Sequence, residues 1–381
     1  MTRGLRAVTA ACAALLIFTP AVAFLLSGPG IPIENRTPAS FTGLDGGWRS
    51  ISAFGDFVAD RVPLRSRAVR ADAWVDEKVF HEDPAFGGGA SSRVIKGKDG
   101  FLFLADAIDN ACAPAVPPET SAQHLSELAG IIDESGRDVL TMVAPDKSSV
   151  HPELMLAFAK EDCFHDYTES LWQHLDDAGV AGFVNLRVLL SDASAASREP
   201  LYLRKDSHWD SAGSLVAVQS AIEHFKPGLW SESEIHYRGL GNYTGDLTGL
   251  QGNPESDEAP IYEVVRPDVT NVSVEVLDDI EGGFNRRFIN TAPDGRLIKG
   301  RTVMFVDSFG MVSLPQYVPF FEDLTVIRLV DFEAQRFADL IQDADRVWVI
   351  SVERSLSYRL ENEIGATPFL DLLRQQLLGV G

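Results

Sequence analysis

Thr302-Val303-Met304-Phe305-Val306-Asp307-Ser308-Phe309-Gly310 holds both the architecture and the chemistry of this 381-residue chain. Its first part is uncharged, β-branched and aromatic, and reads as a strand buried on both faces. A Ser just past such a strand, ahead of a helix, lies at the carboxyl edge of an α/β sheet, where these folds place ligands. Its hydroxyl and amide can point the same way there, so one residue can supply nucleophile and oxyanion donor. The competing reading is that Asp307 or Ser308 caps the helix that follows.

The same rhythm continues outward. Leu324 to Val330 and Val347 to Val352 are further apolar strands, with helices expected near 331–342 and 366–378. Upstream, Val139 to Ala144 is a buried-type strand ending at Pro145-Asp146-Lys147. Phe183 to Leu186 is another, and Leu201-Tyr202-Leu203 is short and extended. Helices are expected over 121–135, with Leu125, Leu128, Ile131 and Ile132 on one face, over 167–178, and along Leu215, Val218, Ile222 and Phe225. Val94 to Leu104 reads as a hairpin about Lys98-Asp99-Gly100. Alternating helices and strands predict an α/β fold with helices on both faces of a mainly parallel sheet. Residues 235–299 are rich in Gly, Asn and Asp and break the rhythm; they are expected to be an insertion with a small antiparallel element.

The N-terminus sets the compartment. Arg3 and Arg6 precede Ala7 to Leu26, a nearly unbroken apolar run of about 20 residues, the length that spans a bilayer as a helix. Ala21-Val22-Ala23 resembles a signal-peptidase site. Because Phe24-Leu25-Leu26 prolongs the run, residues 1–28 are expected to be a signal anchor, with a cleaved signal peptide as the alternative. The positive-inside bias puts the N-terminus in the cytoplasm and the rest outside. Residues 29–92 then form a membrane-proximal helical segment, and 93–381 the main domain. Cys112 and Cys163, the only Cys beyond the apolar run, are a candidate disulfide in such a compartment.

Composition closes other routes. With 55 acidic and 33 basic side chains the net charge is −22, which opposes binding to a phosphate backbone. The eight His show no metal-ligand spacing, and no Gly-rich phosphate loop occurs, so no metal, nucleotide or other cofactor is expected.

Asp206-Ser207-His208-Trp209 lies in a second loop that leads into a helix opened by Asp210 or Ser211. A Ser nucleophile needs a base, usually His, and that His needs a carboxylate to set its tautomer. Together with Ser211-Ala212-Gly213 and Val306-Asp307-Ser308-Phe309, this loop resembles the AlgJ/AlgX alginate O-acetylation family. Further matching stretches are Glu34-Asn35-Arg36, Asp60 to Arg65, Gly97 to Phe103, Ala144 to Val150 and Val352 to Leu356. The resemblance implies an SGNH-hydrolase-like three-layer sandwich with the Asp-x-His block ahead of the Ser block. Ser308 would be nucleophile, His208 base and Asp206 its orienting acid. Val306 stands where Gly is common in such Ser blocks. The chain ends at Gly381 with no stretch left for an AlgX-type carbohydrate-binding module, so the AlgJ type is expected.

The implied activity is O-acetyl transfer to an extracytoplasmic polysaccharide, with acetyl supplied by a multi-spanning membrane partner of MBOAT type. A carbohydrate acetylesterase and a non-catalytic polysaccharide-binding scaffold are the alternatives. Arg354, Lys147 and Tyr243 are further candidates for contacting substrate or oxyanion, each with a plain structural role as its competitor.

Overall fold

The computed structural model describes residues 93–156, 161–251, 254–277 and 284–379. The expected anchor over 1–28 and the membrane-proximal helix lie outside them. Among the described residues no helix is long and apolar enough to cross a membrane.

A hairpin, β1 (Val94–Lys96) and β2 (Leu102–Leu104), opens the domain, paired antiparallel as expected. Its turn places Asp99 at φ 54° and Gly100 at φ 79°, which an Asp-Gly pair tolerates. Next come α1 (Ala105–Cys112), α2 (Pro118–Glu134) and β3 (Asp138–Ala144). A single turn, α3 (Lys147–Val150), leads to α4 (Glu161–Asp177), β4 (Phe183–Val184), α5 (Leu186–Ser197) and α6 (Ser211–Phe225). The region read as an insertion holds β5 (Ile235–Thr244), α7 (Asp246–Leu250), β6 (Ser256–Val264), β7 (Thr270–Val276) and β8 (Arg286–Thr291). The chain finishes with β9 (Ile298–Val306), α8 (Ser308–Val312), α9 (Leu314–Tyr317), β10 (Phe321–Arg328), α10 (Ala334–Gln342), β11 (Arg346–Val352), α11 (Glu353–Asn362) and α12 (Thr367–Leu373).

Seven strands form the central sheet in the order β4-β3-β11-β9-β10-β8-β7. The first five run parallel, and β8 and β7 add antiparallel. The α/β expectation therefore holds. The insertion is not wholly separate: β5 and β6 make the small antiparallel element, whereas β7 and β8 widen the main sheet.

Alternation along the strands explains the two helical layers. Val303, Phe305, Val347 and Val349 face one core, built with α2, α4, α10 and α12. Met304, Val306, Trp348 and Ile350 face the other, built with α5, α6 and α8. A smaller core under the hairpin joins Phe101 and Phe103 to Ile108 and Phe164. There Cys112 and Cys163, with Cα atoms 5.4 Å apart, are joined in a disulfide that ties α1 to α4.

One local expectation needs correction. Leu201-Tyr202-Leu203 is not a strand of the sheet. Tyr202 makes one isolated bridge to Trp209, because the chain turns back on itself at Lys205 and closes a loop. Leu203 N donates to His208 O (3.0 Å) and Asp210 N to Leu201 O (3.0 Å), and Asp210 then caps α6.

Candidate active site

Within that loop Asp206 Oδ1 accepts from the His208 amide at 2.9 Å and lies 2.7 Å from His208 Nδ1. Nδ1 facing a carboxylate carries the proton, which leaves Nε2 as the basic nitrogen. Nε2 is buried and makes no hydrogen bond. The imidazole rests on Phe309, ring centroids 4.8 Å apart. Phe309 is fully buried, edge-on to Trp209 at 4.9 Å, with the Arg354 guanidinium 5.5 Å from its centroid. The ring after Ser308 thus fastens the two loops together.

The cap and the candidate nucleophile prove to be separate residues. Asp307 caps α8 by accepting from Phe309 N at 2.9 Å, and it also accepts from Val352 N. Burial pushes the Asp307 carboxyl up, against those amides and the charges of Arg359 and Arg354. Ser308, the first residue of α8, is exposed. Among the described contacts none joins its Oγ to His208 Nε2. The structure therefore brings Asp206 and His208 together and sets the Ser308 turn against the imidazole through Phe309.

Asp246 is a member of the site that the sequence reading passed over. Its Oδ1 accepts from Ser207 N (2.8 Å), its Oδ2 from Ser207 Oγ (2.6 Å), and its amide donates to Asp206 Oδ2 (3.0 Å). Gly245 makes this approach possible, since a Cβ there would sit 2.0 Å from Lys205 O. Ligand atoms of Asp206, His208 and Asp246 lie within 4.8 Å of one another, a spacing that would suit a cation. Each of the four carboxylate oxygens is, however, already engaged by an amide, hydroxyl or ring donor. Burial opposes the Asp206 charge, but the His208 ring and amide and the Asp246 amide outweigh it and hold its pKa below the ordinary carboxylate value.

Lys147 and Tyr243 both bond to the loop. Lys147 is 3% exposed, and its ammonium donates to the carbonyls of Leu203 (2.7 Å), Arg204 (3.4 Å) and Asp206 (2.7 Å). An ammonium has three protons, so none is left for a substrate oxygen. Burial lowers its pKa to about 7, although Asp206 and Asp246 pull the other way. Tyr243 is half-buried, and its hydroxyl accepts from Lys205 N at 3.2 Å. For Lys147 the expectation of substrate contact is corrected to support of the Asp206 loop.

Arg354 lies in the first turn of α11, just past the end of β11. Its side chain pairs with Asp146, and its amide donates to Asp146 Oδ2 at 3.0 Å. Beside it Glu353 accepts from Asp146 N at 3.0 Å, and burial together with the Asp146 charge raises its pKa to about 7. The folded protein therefore binds this proton more tightly than the unfolded chain, and stability falls as pH rises from the ordinary carboxylate range through about 7. Glu353→Gln is accordingly expected to be more stable than the wild type at pH 8, by about 1–3 kcal/mol, with the gain gone at pH 4. Thermal unfolding at the two pH values checks this.

Residues 94–279 match the family model of the SGNH hydrolase-like domain of the acetyltransferase AlgX. The AlgJ/AlgX resemblance read from the motifs is to this family. The AlgX-type match spans Asp206, His208 and Asp246 but stops before Ser308 and Arg354, whose places rest on the fold. The probable alginate O-acetylase AlgJ of Pseudomonas syringae pv. tomato is 25% identical over 221 residues, 56% of this chain and 52% of its own length. The chain thus spans about half the length of that curated relative. PatB1 of Bacillus cereus, solved with a sulfonyl adduct, superposes at TM-score 0.53 with 12% identity, covering 70% of this chain and 97% of PatB1. That likeness supports the SGNH-hydrolase-like fold. The O-acetyltransferase domain of Pseudomonas putida AlgJ matches at TM-score 0.45 with 16% identity, over 75% of this chain and 99% of that domain.

Proposed function

We propose that this protein is an extracytoplasmic O-acetyltransferase that modifies a polysaccharide through an acetyl-Ser308 intermediate. The observation that carries the reading is His208. Its Nδ1 is committed to Asp206, and its free Nε2 lies in a ring packed on the residue after Ser308. In the first half-reaction Ser308 Oγ attacks the carbonyl carbon of a donor acetyl ester while His208 Nε2 takes its proton. The donor C–O bond breaks, and the donor alcohol leaves with that proton. In the second, a sugar hydroxyl gives its proton to Nε2 and attacks the acetyl carbon, and Ser308 leaves with the proton restored. Asp206 keeps the imidazole in the required tautomer and steadies its cation.

The AlgX-type family match and the name of the Pseudomonas syringae relative support acetyl transfer, and that name makes a polyuronate the first acceptor to test. The expected N-terminal anchor would put the site outside the cytoplasm, away from acetyl-CoA. An MBOAT-type membrane protein would then hand acetyl across. A surrogate acetyl ester supplied with alginate oligosaccharide tests the function. Acetylated sugar supports transfer, free acetate alone would make the protein an esterase, and an unlabelled Ser308 would leave only a scaffold.

A further inference from the structure

Ser308 follows β9, and β9 lies between β11 and β10 in the sheet. Whatever follows those two strands must therefore flank Ser308. After β10 comes Val330 and after β11 comes α11, and between them a groove of about 530 Å³ opens. That is the size range of ligand sites, about 300–1,000 Å³. Arg354, Ser355 and Tyr358 of α11 line one side, and Asn110 and Ala113, at and beyond the end of α1, line another. Arg354 and Tyr358 stand four apart in one helix and so share a face. Arg354 forms the inner end: its guanidinium lies over Phe309, and its charge acts on Asp307. Tyr358 forms the outer end and is 57% exposed. The α1 wall is fixed by the Cys112–Cys163 disulfide and by Asn110 Nδ2, which donates to Arg354 O at 3.1 Å.

An open aromatic face beside amide, hydroxyl and guanidinium groups is the chemistry that holds a sugar ring. The ring's C–H face packs on the aromatic, and its hydroxyls meet the polar atoms. We infer that this groove is the acceptor subsite, in which a glycan strand lies along α11 with one sugar on Tyr358 and a hydroxyl nearer Arg354 presented to Ser308. The inference rests on the acetyl-Ser308 reading, but it concerns binding, which can be measured without turnover.

The test is calorimetric titration of an alginate hexasaccharide into the full chain carrying Ser308→Ala, with cellohexaose as the uncharged comparison. Binding of either saccharide is expected, and adding Tyr358→Ala should weaken it by about tenfold or more. Ser355→Trp, which fills the groove, should give the same loss. Affinity unchanged by both substitutions, or no binding by a Ser308→Ala protein that melts like the wild type, would overturn the groove. Acetyl labelling of wild-type Ser308 is measured separately, so a failure of the acetyl-Ser308 reading is told apart from a failure of the groove.

Discussion

Ser308→Ala is expected to abolish acetyl transfer while leaving the melting temperature within error of the wild type. The substitution removes one exposed oxygen, because the cap of α8 is carried by Asp307. His208→Ala should slow the reaction by about 10³-fold, in the range for loss of a general base. Asp206→Ala should be milder on turnover than either, since the acid only orients and steadies the base. It should nevertheless cost stability, because Asp206 accepts from His208 N within the loop and from Asp246 N at the start of α7. Rates of transfer from a surrogate ester and thermal melts of the three variants check both the ranking and the split.

Lys147→Met should damage the protein through the loop that carries the base. Without the ammonium, the carbonyls of Leu203, Arg204 and Asp206 lose their donor, at about 1–3 kcal/mol for each one left unsatisfied. Part of this is offset because a buried ammonium is itself costly in water-free surroundings. A net loss of about 1–3 kcal/mol at pH 6 is expected. Displacing Asp206 and His208 by about 1 Å would lower turnover by roughly 10²-fold. The pH dependence has a definite sign. Burial favours the neutral amine in the folded state, so unfolding takes up a proton between about pH 7 and the ordinary lysine range. Wild type should therefore gain stability relative to Lys147→Met as pH rises across that window. Denaturant melts of the two proteins at pH 6 and pH 9 measure the difference.

The strands were legible because both of their faces are buried. Met304, Phe305, Val306 and Val347 all lie in the core, and such runs stand out as unbroken apolar stretches. Helix α5 was harder to see, since Phe183-Val184 runs straight into it. Its signal was Asn185, whose side chain accepts from Val188 N at 3.1 Å and starts the helix. Strands β7 and β8 looked like part of an insertion because Val272, Val274 and Val276 are exposed at the sheet edge.

In the site, Asp206 and His208 were readable because two residues in one loop can meet without help from the fold. Asp246 reaches the same place from 40 residues away, across the turn that Gly245 allows. Nothing in local spacing announces such a contact. Lys147 was ambiguous for a related reason: a lysine after a strand can reach out to substrate, whereas here it turns inward over Phe101 and Phe103 onto the loop carbonyls.

The most direct measurement is the mass of the proteolytic peptide that contains Ser308 after brief exposure to a surrogate acetyl ester and quenching in acid. The account predicts one added acetyl group on Ser308 in the wild type, much slower labelling in His208→Ala, and none at this position in Ser308→Ala. An acetyl group on a different residue, or labelling of Ser308 that proceeds equally fast without His208, would contradict it.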